Sequence, residues 1–119
     1  FAAFKELATR FPDSKYTPDA LARMKYLVNA LAQNEVNVGR YYLKREAWVA
    51  AAARAKEVVK TYPEAPALED ALAILIVAYD RMGITDLRDD ARRVLKLNFP
   101  DTRYAEKFEQ LEKPWYKFW

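Results

Sequence analysis

The chain contains no cysteine and no histidine, and its single serine, Ser14, falls in a predicted turn. Without thiols no disulfide can form, and without thiolate or imidazole ligands the usual zinc sites are excluded. Cysteine–histidine and serine–histidine–aspartate catalysis are excluded for the same reason. The acidic residues are expected at helix starts or on polar helix faces, so we predict no enzymatic activity, no metal site and no cofactor.

Glycine is also scarce, with two residues, and no apolar run approaches the roughly 20 residues that a membrane-spanning helix needs. Alanine, leucine, lysine, arginine and glutamate are abundant, which favours helix over strand. Hydrophobic residues make up 52% of the 119 residues, which is enough for one folded domain with a core. The first residues, FAAFKELATR, resemble the middle of an amphipathic helix, so we expect the natural start of the protein to lie upstream.

Charge of one sign is not concentrated anywhere, and the net charge is only +3. The densest basic stretch, DLRDDARRVLK, alternates arginine and lysine with aspartate, which would neutralise much of its field. Proteins that bind nucleic acid normally show a cleaner basic surface. We therefore predict a solvated helical surface and no nucleic-acid partner.

A block of aromatic residue, proline and acid occurs three times. It is RFPDSKYTPDA from Arg10 to Ala20, TYPEAPALEDA from Thr61 to Ala71, and NFPDTRYAEKF from Asn98 to Phe108. Proline cannot continue a helix, and it biases the preceding residue away from helical angles. The acids that follow, such as Glu69 and Asp70, suit the positive end of the next helix. Each block therefore predicts a helix stop and a helix start.

The predicted helices cover 1–10, 17–45, 47–61, 67–82, 86–98 and 102–112. The second is unusually long, because an apolar stripe continues through it without a proline. The stripe consists of Ala20, Leu21, Met24, Leu27, Val28, Leu31, Val38 and Tyr42. A kink between Ala32 and Asn37, where polar residues crowd, is the alternative to one continuous helix.

The pattern around Gly39 predicts the repeat type. The tetratricopeptide pattern is matched by Val38, Gly39, Tyr42, Ala51 and Pro63, whereas Glu35 and Ala55 replace its large aromatic residues. Glycine inside a helix costs about 1 kcal/mol relative to alanine, so we expect a neighbouring helix to approach closely here. The predicted fold class is all-α, a tetratricopeptide-repeat-like α-solenoid of antiparallel helix pairs. About two and a half repeats occupy 1–112, and an aromatic tail occupies 113–119.

The sequence pattern alone indicates two surfaces that could bind a partner. In a generic repeat adaptor, an extended peptide would lie on the concave face, which we define by Gln33, Val36, Arg40, Leu43 and Lys44. The tail carries Trp115, Tyr116, Phe118 and Trp119. Exposed, these rings would suit a membrane interface or a partner protein; folded back, they would cap the last helix.

A more specific resemblance covers roughly residues 1–100. The run from FPDSKYTPDA through VGRYYLKREAWVAAAARAKEVVKTYPEAPALEDAL resembles the BamD (ComL) family, and YYLKREAWVAAAAR, from Tyr41 to Arg54, is its most telling part. Members of this family are lipoproteins of the outer-membrane β-barrel assembly (BAM) complex in Gram-negative bacteria. The tail matches no pattern of the family.

The resemblance implies a non-catalytic scaffold at the periplasmic face of the outer membrane. The whole protein would carry a signal peptide and a lipidated cysteine as its membrane anchor. Its N-terminal repeats would bind substrate signals and other lipoproteins of the complex. Its C-terminal repeats, which this chain contains, would dock on the membrane-proximal POTRA domain of the BamA subunit.

Three residues are candidates for the BamA contact. The resemblance places Arg54 where the family's arginine contacts the POTRA domain, and a guanidinium can bind a carboxylate through two hydrogen bonds. An exposed arginine that only keeps its helix face polar is the alternative. Arg45 could face the partner or complement the end of the long helix. Trp48 could anchor the interface or pack in the core against Tyr42.

Overall fold

The computed structural model of the chain describes residues 18–104, 107 and 115–119. Four α-helices follow one another, α1 Pro18–Lys44, α2 Trp48–Thr61, α3 Leu68–Met82 and α4 Thr85–Asn98, and a 3₁₀ turn spans Trp115–Phe118. No strand occurs among the described residues. Each helix packs against the one before it, and α1 also packs against α3 and the 3₁₀ turn. The predicted all-α, tetratricopeptide-repeat-like class is confirmed.

The aromatic–proline blocks end helices as predicted. The amide of Tyr62 donates to the carbonyl of Val58 at 2.8 Å, and the amide of Phe99 donates to that of Leu95 at 2.8 Å; a proline follows each aromatic residue. Both rings are partly buried against the core. The first block lies outside the described residues, apart from its last three positions, which begin α1.

Glycine ends α3 in a different way. Gly83 has φ 75°, and its amide donates to the carbonyl of Asp80, while the amide of Ile84 donates to that of Tyr79 at 2.9 Å. This pair of bonds is a Schellman motif, in which the left-handed position suits glycine.

The same motif ends α1, but with glutamate at the left-handed position. Glu46 has φ 62°, its amide donates to the carbonyl of Leu43 at 3.0 Å, and the amide of Ala47 donates to that of Tyr42 at 2.9 Å. A side chain at this φ is disfavoured by roughly 1 kcal/mol or more. The turn between α1 and α2 is therefore a strained point of the fold.

The three predicted helices that follow the long one are confirmed to within one residue at each end. Two other predicted helices fall mainly outside the described part of the chain. The helix predicted over 1–10 lies outside it. Of the helix predicted over 102–112, the structure describes 102–104, which form a turn, and Lys107, which is helical. The predicted start of that helix at 102 is therefore wrong.

The long helix is continuous, but only part of the predicted stripe is buried. Residues Pro18–Lys44 form one helix of 27 residues, about 40 Å long, with no break between Ala32 and Asn37. Its buried positions are Val28, Ala32, Val36, Gly39 and Leu43. Leu21, Leu27 and Leu31 from the predicted stripe are 42%, 60% and 54% exposed. The helix has apolar residues on two faces, and periodicity alone could not say which one its neighbours cover.

Gly39 marks the close approach that the sequence predicted. A Cβ at this position would lie 3.1 Å from Cδ1 of Ile74 on α3. It would also lie 3.7 Å from the carbonyl oxygen of Ala51 and 3.7 Å from Cβ of Arg54, both on α2. Three helices thus converge on this glycine, which explains why a poor helix former is placed there.

The core is centred on α3. Leu68 and every residue from Asp70 to Tyr79 are buried, so this helix is enclosed on all its faces. Small residues from both neighbours, including Ala32 on α1 and Ala51 and Ala55 on α2, are fully buried against it. Helices can approach closely where side chains are this small, and the large residues of α3 fill the space between them.

We expect Gly39→Val to destabilise the fold by about 1–3 kcal/mol, because its branched side chain overpacks the junction with α2 and α3. Urea denaturation followed by circular dichroism measures the change. Gly39→Ala is the matched control: its one methyl meets the movable end of Ile74, and the gain of about 1 kcal/mol in helix propensity offsets that contact. A Gly39→Val variant as stable as the unaltered chain would contradict this account of the junction.

Candidate functional site

Arg54 lies on α2 and forms an ion pair with α1. Its Nη1 donates to Oε2 of Glu35 at 3.2 Å, and its side chain is 46% exposed. The hydrogen bond and the charge of Glu35 raise the pKa of the Arg54 guanidinium above its ordinary value. An exposed pair of this kind contributes little to stability. The arginine is thus accessible to a partner, but its charge is already shared with a neighbour.

Arg45 lies just beyond the end of α1, beside an exposed tyrosine. Its Cζ is 4.8 Å from the ring centroid of Tyr41, and the tyrosine is 53% exposed. A guanidinium over an aromatic face is held by the ring quadrupole. Arg45 and Tyr41 therefore form an accessible cation–aromatic pair at the end of the helix.

Trp48 begins α2 and is half-buried. Its ring meets the ring of Tyr116 edge-on, with centroids 5.7 Å apart at 84°. The tryptophan is packed against the core, and its ring also pairs with the aromatic tail. The tryptophan also lines a shallow depression of about 570 Å³. The depression is lined by Glu46, Ala47, Trp48, Val49, Ala50, Ala53 and Met82. Its lining is mostly apolar, and Val49 is 73% exposed.

The structure corrects two of the five residues expected to line an open concave face. Val36 and Leu43 are fully buried. Arg40 is engaged with other residues of the chain, and Gln33 donates to the side chain of Asn37 at 3.0 Å. Lys44 alone of the five is fully exposed.

Asp70 is the centre of a polar cluster that sequence reasoning missed. It is 6% exposed, its Oδ2 pairs with Nη2 of Arg40 at 3.1 Å, and its Oδ1 accepts from Nη2 of Arg103 and from the hydroxyl of Tyr104. The carboxylate is thus shared by two arginines and a tyrosine from two other parts of the chain. It joins α1, α3 and the segment after α4.

The buried tyrosine of this cluster is electrostatically perturbed. Burial, followed by the hydrogen bond and charge of Asp70, raises the pKa of the Tyr104 hydroxyl. The hydrogen bond that Arg103 donates to Asp70 also raises the pKa of the Arg103 guanidinium. Both shifts favour the protonated donors that the carboxylate needs.

The sequence signal for Asp70 indicated a different role. Together with Glu69 it follows the proline block, which predicts an acid interacting with the helix dipole. The structure does place both residues in the first turn of α3, without a side-chain cap bond. Burial of Asp70 depends on Arg40 and Arg103, which lie 30 and 33 positions away. A local pattern carries no information about partners at that distance.

Other site types receive no support from the described residues. Among residues 18–104, 107 and 115–119, no group of three acids is arranged to hold a metal ion. The helices of that same part of the chain are too short or too polar to cross a membrane. Two basic residues of α4 are paired with acids: Arg88 with Asp80 and Asp89, and Arg93 with Asp90.

Comparison with known proteins identifies a family. The sequence model of the YfiO family, described as outer membrane lipoprotein, matches residues 1–95. A similar curated protein is the outer membrane protein assembly factor BamD of Neisseria meningitidis serogroup A, 45% identical over 120 residues that include the whole chain. The BamD proteins of Xylella fastidiosa strain Temecula1 and Haemophilus influenzae are 49% and 40% identical over 82% and 96% of the chain.

The chain spans less than half the length of these relatives. It covers 45% of the Neisseria protein, 33% of the Xylella protein and 42% of the Haemophilus protein. The similarity therefore concerns one part of a longer molecule.

We expect Asp70→Asn to lower the free energy of unfolding by about 1–3 kcal/mol, because buried donors on Arg40 and Tyr104 lose their anionic acceptor. Urea denaturation followed by tyrosine and tryptophan fluorescence measures the loss. Asp90→Asn is the matched control, since its pair with Arg93 is exposed on both sides and should change stability by less than about 1 kcal/mol. Equal effects from the two substitutions would show that the buried cluster has no special role.

Proposed function

The chain belongs to the YfiO family of outer membrane lipoproteins, and we propose that it is the C-terminal helical-repeat part of an outer-membrane protein assembly factor. In this proposal it acts as a non-catalytic scaffold of the BAM complex at the periplasmic face of the outer membrane. The names of its relatives support the assembly role. A lipid anchor and the contacts with substrates and other lipoproteins are assigned to the N-terminal part of the longer protein.

We further propose that this part docks on the membrane-proximal POTRA domain of BamA. The observation that carries this proposal is the accessible surface of the α1–α2 hairpin. This surface carries Arg54, the cation–aromatic pair of Arg45 and Tyr41, and the apolar depression around Val49. Arginine and aromatic residues are enriched at protein interfaces, which have apolar centres and polar rims.

Arg54 is the proposed electrostatic contact. A guanidinium has five N–H donors, and the bond to Glu35 uses Nη1. A carboxylate of the partner can therefore bind the guanidinium while Glu35 keeps it oriented. Glu35 restricts the rotamers of the arginine before docking, which lowers the entropy lost on binding.

The depression beside Trp48 is the proposed apolar contact. Val49 is exposed within a mostly apolar lining. When an apolar side chain of a partner binds there, that side chain and Val49 are both removed from water, which is favourable. The lining comes from the α1–α2 turn, the first turns of α2 and the end of α3, so its shape is set by how this turn and these two helices pack. A folded domain can dock on such a preformed surface without reordering it.

We expect Arg54→Glu to weaken binding to an isolated BamA POTRA domain by about tenfold or more, because it replaces an attraction with a repulsion. Calorimetric titration measures the affinity, and thermal melting tests whether the helices remain folded. Arg93→Glu on α4 is the control and should leave the affinity unchanged.

A double substitution separates docking from the internal pair. Glu35→Arg with Arg54→Glu restores an ion pair between α1 and α2 with the charges exchanged. If Arg54 acts through the partner, the double variant stays weak; recovery of full affinity would mean that only the internal pair matters.

We expect Val49→Lys to weaken the same binding by about tenfold, because a charge is placed over the centre of the apolar depression. Leu97→Lys on α4, where the leucine is 81% exposed, is the matched control and should bind normally. If a folded Val49→Lys variant keeps full affinity, the depression is not part of the interface.

A further inference from the structure

The aromatic tail lies against the concave face. Cζ of Arg40, one of the five residues that define this face, is 4.5 Å from the ring centroid of Trp119. Tyr116 is only 3% exposed. The face that would receive a peptide in a repeat adaptor is thus occupied by residues of the same chain.

Three side chains of the helical array hold the tail through its rings. Arg40 on α1 lies over Trp119, and Cζ of Arg81 on α3 is 5.7 Å from the ring centroid of Tyr116. Trp48 meets Tyr116 edge-on. Guanidinium groups favour the faces of aromatic rings, and ring edges favour the faces of other rings. The surface therefore selects aromatic side chains by their electrostatics as well as their size.

The held rings have a defined spacing. Trp115, Tyr116 and Trp119 belong to one 3₁₀ turn and the residue after it, and the two tryptophan rings have centroids 5.5 Å apart. Trp115 and Trp119 both contact the ring of Tyr104, with centroids 6.0 and 5.4 Å away. The tail thus presents aromatic residues at positions i, i+1 and i+4 of a tight turn.

One polar contact accompanies the rings. Nζ of Lys117 is 3.7 Å from Oε1 of Glu46, the residue in the strained turn, and these side chains are 45% and 60% exposed. An ion pair with this exposure contributes little. The ring contacts are ones that a segment of another polypeptide with the same spacing can reproduce.

We propose that the concave face is a binding groove for aromatic-rich peptide segments of the form Trp-Tyr-x-x-Trp, and that the tail is its resident ligand. A segment of another chain with this spacing binds when the tail leaves. Because the tail is tethered, its effective concentration is of order millimolar, and it outcompetes an external peptide until its own contacts are weakened. This inference differs from docking on BamA, which uses Arg54 and the apolar depression around Val49, although Trp48 and Glu46 border both surfaces.

The test uses a fluorescent peptide of residues 113–119, KPWYKFW, titrated into two variants and the unaltered chain. In the first variant residues 115–119 are removed, and in the second, full-length variant Lys117→Glu turns the ion pair with Glu46 into a repulsion. We expect the shortened variant to bind the peptide about 100-fold more tightly than the unaltered chain. We expect Lys117→Glu to bind it several times more tightly, about threefold or more.

The controls address folding and specificity. Circular dichroism establishes that the shortened variant keeps its helices; if it does not, the exposed substitution Lys117→Glu decides the question alone. A peptide with alanine in place of its two tryptophans and its tyrosine should not bind. Adding Arg81→Gln to the shortened variant, or to Lys117→Glu if the shortened variant does not fold, should weaken binding of the aromatic peptide. The inference is overturned if a folded variant binds the peptide no more tightly than the unaltered chain, or if the alanine peptide binds equally well.

Discussion

The enclosure of α3 is the constraint on which the rest of the structure depends. Its residues from Asp70 to Tyr79 are all buried, and a helix that is apolar on every side has to be surrounded. The helices α2 and α4 cover two sides, and α1 and the chain after α4 contribute the remainder. None of these helices could hide its apolar face alone, so the array is stable only as a stack, as in other helical-repeat proteins.

Close packing around α3 requires small residues in the helices beside it. Gly39 and the buried alanines of α1 and α2 bring those backbones near to the isoleucines and leucines of α3. This arrangement leaves the outer surfaces of the hairpin free for other uses. The accessible arginines and the apolar depression lie on the hairpin formed by α1 and α2, whose geometry is fixed by the core beneath it.

Polar contacts have two distinct roles in this molecule. The exposed pairs, such as Arg54 with Glu35, add little stability and leave their charges accessible to a partner. The buried Asp70 cluster is different, because Arg40, Arg103 and Tyr104 converge on one carboxylate from separate segments. It fastens the segment after α4 to the first helices of two successive repeats, next to the place where the tail rings lie against Arg40.

The sequence by itself determined the number and ends of the three helices after the long one, the close approach at Gly39 and the family. These features are encoded within a few neighbouring residues, by proline geometry, apolar spacing and a recognisable motif. Only the tertiary structure decided that α1 runs without a break, which of its faces is buried, that Asp70 lies inside the protein and that the tail lies against Arg40. Each of these depends on contacts between residues far apart in the chain, such as Asp70 with Arg103, and local patterns cannot specify which distant segments will pack together.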